Sequence, residues 1–372
     1  MRLKFFGLIF VFVINAVYGM DDGEFLAWWE SYRNNTAVPA ELKDMEDYYV
    51  QAGLIKYSSK YWNFLNRMGI KEITEYGYEN FKQTITTHYF TWVVGEDHPY
   101  AAKLRTLVPQ VTEKISLDEI NKKHDLFSLE QSIAYNKITE LFLNYILQNN
   151  GELLLSKLEE PLIGNPPCVL FHGKRISQDI LNSLLEYMSI SKAMKLEKCA
   201  SIIEIGAGSG RTAFCFMTLL SNVKYIIVDF PPALYVSQRY LTTVFPEKKV
   251  MKFRSFDNFA SISEEFFNAD LIFLTPDQLK KIPNKSCDLF LAIDCLHEMR
   301  PDMIVEYFNE VERLSSYFYF KCWQDTVVPF DHYSYNSGNY PVHSNWKEIF
   351  KEPCVVPSDF FHVFYKISDL NE

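Results

Sequence analysis

Apolar positions recur at helical spacing through the first part of the chain. Leu126, Leu129, Ile133, Ile138, Leu141, Phe142, Tyr145 and Ile146 share one face of a 3.6-residue period. Asn149-Asn150-Gly151 follows as a stop signal. The pattern predicts a mostly helical N-terminal domain over residues 20–165, with Ile163-Gly164-Asn165-Pro166-Pro167 marking its end. Ser177 then stands at an N-cap position ahead of Ile180, Leu181, Leu184, Leu185 and Met188. Beyond it the period changes. Short β-branched or aromatic runs, Ser201–Ile205, Tyr225–Val228, Leu271–Leu274, Leu289–Ile293 and Tyr317–Phe320, alternate with helix-length segments. Such alternation predicts an α/β fold: a parallel sheet with helices on both faces, filling residues 166–372. Val250-Met251-Lys252-Phe253 competes with Leu271–Leu274 for the place of the third strand.

The first of these strands runs into Gly206-Ala207-Gly208-Ser209-Gly210, and a helix starts at Arg211. Glycines let a backbone turn tightly and approach a ligand closely, and a helix N-terminus adds unpaired N–H groups. A dinucleotide fingerprint places its third glycine five residues after the first. Here Arg211 holds that place and the third glycine comes one residue early, while Glu204 stands two residues before the first. Asp229 closes the second strand, 23 residues past Gly206. A carboxylate at about that distance accepts ribose hydroxyls; the other reading is a helix cap ahead of Pro231-Pro232. Phe230 would lie beside the nucleoside.

Ligands of α/β sheets sit beyond the carboxyl ends of the strands. After the strand Leu289–Ile293 comes Asp294-Cys295-Leu296-His297-Glu298-Met299. His297 is the candidate general base, because imidazole titrates near pH ~6.5, and Asp294 or Glu298 could orient it or bind substrate. The plainer reading is a pocket lining that leads into a helix near Pro301. After the fifth strand the chain turns irregular and rich in rings, with Trp323, Phe330, His332, Tyr333, Tyr335, Asn336, Asn339, Tyr340, His343 and Trp346. This stretch is either an acceptor surface or a loop packed by its own rings. If it is the former, Trp346→Ala would lower acceptor affinity.

The net charge of −10 argues against a general nucleic-acid binder, since phosphate contacts need a basic surface. Aromatics make up 16% of the chain, enough for a ring-built core or an aromatic cleft. Seven cysteines are widely spaced with no CxxC pair, which disfavours a disulfide framework or a structural zinc site. No other metal-ligand cluster stands out. Arg2 and Lys4 precede an apolar run from Phe5 to Val17, and Val17-Tyr18-Gly19 resembles a cleavage site. Residues 1–19 thus read as a signal peptide of an exported protein, or as an anchor that brings a membrane into contact. With Met20 as the true start, the protein is cytoplasmic. Asn34-Asn35-Thr36 and Asn284-Lys285-Ser286 match glycosylation sequons, a weak signal without a known compartment.

The Glu204-x-Gly206-x-Gly208-x-Gly210 form resembles motif I of the class I S-adenosylmethionine-dependent methyltransferases. Further phrases resemble the sugar O-methyltransferase family of bacteria over about residues 75–350. They are Arg175-Ile176-Ser177-Gln178-Asp179, Val228-Asp229-Phe230-Pro231-Pro232-Ala233-Leu234-Tyr235, Phe273-Leu274-Thr275-Pro276-Asp277-Gln278-Leu279 and His297-Glu298-Met299. The resemblance implies a Rossmann-like methyltransferase sheet, S-adenosylmethionine as cofactor and a sugar or glycoconjugate acceptor. It implies that Glu204 organises the loop and that Asp277 and Gln278 meet adenine. The helical domain would cover the ligand edge as a lid. A methyltransferase on another small-molecule hydroxyl or amine is the nearest variant, and a nicotinamide-dependent oxidoreductase is the rival enzyme class, which the early third glycine speaks against. A non-catalytic scaffold or sensor of the same fold is the rival outside enzymes.

Overall fold

A computed structural model describes residues 27, 29–32, 36–83, 99–117, 129–356 and 358–367. Residues 1–19, Asn34-Asn35 of the first sequon and Leu126 lie outside them. The helical region contributes α1 (Ala40–Gln51), α2 (Lys60–Tyr76), α3 (Pro99–Leu107), α4 (Leu129–Gln148) and α5 (Glu152–Leu155). Strands β1 (Ser116–Leu117), β2 (Val169–Phe171) and β3 (Lys174–Ile176) form a small antiparallel sheet. Because β1 precedes the Ile163–Pro167 stretch and β2 follows it, this sheet ties the two regions together.

The Ser177 hydroxyl accepts the Ile180 N–H at 3.1 Å and so caps α6 (Gln178–Ser191), as the sequence predicts. There follow β4 (Ser201–Ile205), α7 (Arg211–Leu219), β5 (Lys224–Val228), α8 (Ala233–Val244), β6 (Val250–Met251), α9 (Ser263–Asn268), β7 (Leu271–Leu274) and α10 (Pro276–Leu279). The chain ends through β8 (Leu289–Ile293), α11 (Pro301–Leu314), β9 (Tyr317–Trp323), β10 (Asp325–Val327), β11 (Ser334–Asn336), β12 (Lys347–Pro353) and β13 (Phe360–Lys366).

The main sheet has eight strands in the order β12-β13-β9-β8-β4-β5-β7-β6. Its pairs from β6 to β9 are parallel; β13 lies antiparallel to both β9 and β12. This is a Rossmann-like sheet. Leu271–Leu274 is the strand that pairs with β5, whereas Val250–Met251 adds only two residues at the edge, which settles the third strand. Successive side chains on a strand point to opposite faces. Ile202, Tyr225, Ile227 and Leu291 accordingly pack with α6, α7 and α8. Ile203, Ile226, Phe290 and Phe318 pack with α9 and α11. The first of these cores continues into Leu42, Met45, Ile138 and Phe142, so the helical region shares it.

Part of the ring-rich segment after β9 belongs to the core and not to an acceptor surface: Tyr335, Tyr340 and Trp346 are buried, whereas Trp323, Phe330, His332 and Tyr333 stay partly or fully exposed. Trp346 is buried and stacks on Phe308 of α11, with centroids 5.6 Å apart and planes 9° from parallel. Tyr340 is buried beside Phe308 and Phe320. The rings fill one face of the sheet, where burial of 150–250 Å² each stabilises the core. Trp346→Ala is therefore expected to lower folding stability by about 3–5 kcal/mol. Denaturant unfolding of the variant reads this directly, and a near-wild-type midpoint would return Trp346 to the surface.

Candidate functional site

From β4 the chain moves outward to β5 and β7, then returns to place β8 on the other side of β4. The loops after β4 and β8 therefore leave in opposite directions, and an open crevice forms between them at the strands' carboxyl ends. The glycine loop, Asp229 and the segment after β8 meet there.

Gly206, at the end of β4, has φ +65°, and a Cβ on it would meet the Cβ of Cys295 at 2.6 Å. The segment after β8 thus crosses the glycine loop in direct contact, and only glycine permits it. Gly208 differs. Its φ is +58°, yet nothing lies within 4 Å of where a Cβ would be, so the loop is open to a ligand there. Gly210 opens α7 and lies against Leu241.

Asp229 holds this loop. Its carboxylate accepts the Gly208 N–H at 2.8 Å and its neighbour Phe230's N–H at 2.7 Å. Burial pushes its carboxyl up to about 7, against the pull of these two donors. The ring of Phe230 meets Tyr49 of α1 edge-on at 5.2 Å. Glu204 lies on the α7 face of the sheet rather than in the crevice. It accepts the Tyr225 hydroxyl at 2.7 Å, and burial raises it to about 7. It supports the start of α7 from below, with Thr212 also donating to it.

The adenine candidates are otherwise engaged. Gln278 is fully buried. Its amide oxygen accepts the Thr275 N–H, and its nitrogen donates to the Arg254 carbonyl at 2.8 Å. That closes a capping box at the start of α10 and leaves the amide to the backbone. Asp277 accepts the Thr275 hydroxyl at 2.6 Å and the Tyr48 hydroxyl at 2.7 Å. These contacts place both at the joint between α10 and the helical region.

Past β8, Asp294 takes φ +59°, a conformation seldom adopted by non-glycine residues and often held at functional sites. His297 follows in a short 3₁₀ turn, Leu296–Glu298, and is 1% exposed. Neither of its ring nitrogens has a hydrogen-bond partner among the described residues. Its Nε2 stands 3.6 Å from Asp294 Oδ1 and 3.7 Å from Glu298 Oε1, too far for hydrogen bonds. The rings of Trp323 and Phe360 flank it at 6.4 and 6.1 Å. Burial lowers the imidazole to about 3, so it is neutral at physiological pH. Burial also raises Asp294 to about 6 and Glu298 above the usual carboxylate range, with the Asp294 charge adding to the latter.

Beneath Asp294 lies a charged network absent from the sequence reading. Glu186 of α6 accepts from Arg211 at 2.8 and 3.1 Å and from Lys321 at 2.9 Å. Lys321 also donates to Asn182 at 2.8 Å, and its carbonyl accepts the Asp294 N–H. The two cations hold Glu186 below its ordinary value despite its burial, and Lys321 partly offsets the desolvation of Asp294. A lone glutamate within the apolar run Ile180–Met188 and a lysine within Tyr317–Trp323 were the visible signals. Among the described residues no cluster of three His, Cys, Asp or Glu is placed to hold a metal ion. No helix among them is long and apolar enough to cross a membrane.

No family model matches the chain, and no curated protein matches its sequence. Solved structures do align. A protein from Pyrococcus horikoshii aligns over 50% of this chain and 91% of its own, at 13% identity and TM-score 0.35. Mitomycin 7-O-methyltransferase aligns over 73% and 70%, at 11% identity and TM-score 0.36. A SAM-dependent methyltransferase from Aquifex aeolicus aligns over 49% and 89%, at 14% identity and TM-score 0.35.

Proposed function

We propose that the chain is an S-adenosylmethionine-dependent O-methyltransferase acting on a sugar hydroxyl. The observation that carries the donor is the open ground over Gly208, tied to Asp229 at the point where the strand order reverses. Gly206 to Gly210 would pass under the donor, and Asp229 would accept its ribose hydroxyls. Phe230, already packed on Tyr49, would flank the nucleoside. Charge favours this donor over a dinucleotide. Asp229, Asp294 and Glu298 are all carboxyls raised by desolvation at one crevice, and a cation such as a sulfonium relieves that cost. A pyrophosphate would add to it, and Arg211 at the start of α7 is already committed to Glu186.

When bound, the donor supplies an electrophilic methyl group on sulfur. The chain's own part is to position and deprotonate the acceptor. His297 is the group proposed to take the hydroxyl proton; burial alone makes it a weak base, and the charge of a carboxylate beside Nε2 is what would raise its basicity as the proton arrives. The carboxylate of Asp294, 3.6 Å from Nε2 and ionised above about pH 6, would then stabilise the imidazolium. Three acceptor groups in one place suit a partner that presents several hydroxyl donors, as a sugar does. The sugar class itself rests on the sequence phrases around Asp229, Asp277 and His297.

The test is calorimetric binding of S-adenosylhomocysteine. Asp229→Ala should weaken it about 100-fold, through loss of charged hydrogen bonds to ligand and loop. Affinity should also fall about tenfold between pH 8 and pH 6. Asp229 must be ionised to accept, and it takes a proton as pH drops through about 7. Tight binding of NAD, or equal affinity in the variant, would refute the donor assignment.

A further inference from the structure

Glu186 and Lys321 also line a cavity of about 210 Å³ between α4, α6 and the β12–β13 hairpin. None of Gly206 to Gly210, Asp229, Asp294 and His297 lines it. Tyr319 and Lys321 are two apart on β9 and share one of its faces, and His362 of β13 pairs with Lys321. These three and Glu186 are buried and make a polar floor. Leu185 and Met188 of α6 and Val356 of the hairpin make apolar walls. Lys192 and Glu352 are exposed at the rim. The space far exceeds what one water needs. Apolar walls with a few placed polar groups are the make-up of a small-ligand pocket.

The charges around the cavity select its occupant. Burial lowers the His362 imidazole to about 4, with Lys321 and then Lys192 lowering it further and Glu186 opposing them. The ring is therefore neutral at physiological pH and carries one N–H. With that proton on Nε2, the Tyr319 hydroxyl can donate to Nδ1, 3.2 Å away. The Nε2–H then faces Glu352 at 3.4 Å, a long contact to a side chain that is 57% exposed and screened by water. Arg211 offsets the Glu186 charge through two hydrogen bonds. Each lysine acts on His362 more strongly than Glu186 does, so an occupant beside the ring meets a positive potential. A single negative charge fits there; a second would face Glu186 and Glu352. We propose that this cavity binds a small carboxylate with an apolar body, the carboxylate held by His362 Nε2–H and Lys192 and the body against Leu185, Met188 and Val356.

The test follows the His362 imidazole by nuclear magnetic resonance in the full chain with labelled histidines, its signal identified by its loss in His362→Gln. The probe is benzoate, with benzyl alcohol as its uncharged twin and inorganic phosphate as the dianion. Benzoate should move the His362 signal saturably, and the alcohol and phosphate should bind at least about tenfold more weakly. Lys192→Gln should weaken benzoate about three- to tenfold. Ser189→Phe, which places a ring in the cavity from α6, should abolish the effect. S-adenosylhomocysteine should leave it unchanged. A His362 signal that benzoate does not move saturably overturns the proposal. So does equal affinity for benzyl alcohol or phosphate, or undiminished binding in Ser189→Phe that is folded by circular dichroism. If Ser189→Phe does not fold, Lys192→Gln decides alone, since Lys192 is exposed, and unchanged affinity there overturns the site. Displacement of benzoate by S-adenosylhomocysteine overturns it as well and moves the carboxylate to the crevice.

Discussion

His297→Ala is expected to lower methyl transfer by roughly 10²–10⁴-fold, the range that a positioned general base contributes. S-adenosylhomocysteine affinity should be unchanged, because the loop and Asp229 lie on other strands. Stability should change little as well. The imidazole is buried with both nitrogens unpartnered among the described residues, so removing it relieves a desolvation cost while leaving a void. The pH profile adds a second readout. Burial puts His297 near 3, so it stays neutral through the working range and gives no limb near pH 6.5. The acid limb should instead fall as Asp229 protonates near pH 7 and Asp294 near pH 6. Activity in a panel of hydroxylated sugars, followed by release of S-adenosylhomocysteine, measures both. Unchanged turnover in His297→Ala would assign the proton to another group.

Lys82→Met is expected to destabilise the protein by about 3–5 kcal/mol, the cost of removing one partner from a buried ion pair. The Lys82 ammonium lies 2.5 Å from Glu160, 3.6 Å from Asp179 and 4.7 Å from the centre of the Tyr240 ring. Lys82, Glu160 and Asp179 are each no more than 2% exposed. Glu160 also receives the Ser177 hydroxyl that caps α6. The attraction of these carboxylates raises Lys82 above its ordinary value against the pull of burial. Without the ammonium, two carboxylates remain buried beside each other. Guanidinium unfolding of Lys82→Met measures the loss, and adding Glu160→Gln should restore part of it. An unshifted midpoint would show that water reaches the cluster.

These two residues mark where sequence reasoning works and where it stops. His297 was legible because it follows a strand, and the carboxyl end of a strand is where α/β sheets place ligands. Lys82 carried no signal, since its partners lie 78 and 97 positions away. Local pattern fixed β4, β7 and β8 to the residue: β7 and β8, fully buried parallel strands, read as unbroken apolar runs, and β4 is interrupted only by Ser201 and Glu204. The same rule hid β13, whose Phe360–Tyr365 run follows no helix, and β12, an exposed edge strand of mostly charged residues. Gly206, Gly208, Gly210 and Asp229 could be named from spacing alone, because glycine freedom and a 23-residue separation are properties of the chain, whereas Glu204 was named from the resemblance to motif I.

Which way those residues face was decided by packing. Glu204 turned to the α7 face because strand residues alternate, and its partner there is Tyr225. Gln278 and Asp277 were taken up by the turn after β7 and by Tyr48, through hydrogen bonds that a buried amide and carboxylate must make. Trp346 went to the core because Phe308 offers a face to stack on, at a distance in sequence that no local pattern reaches. The sequence by itself determined β4, β5, β7, β8 and β9, the glycine loop and the position of the segment after β8, since each depends on neighbours along the chain. The roof of the crevice, the Arg211–Glu186–Lys321 network and the burial that makes His297 neutral depend on residues brought together only by folding, and the tertiary structure alone decided them.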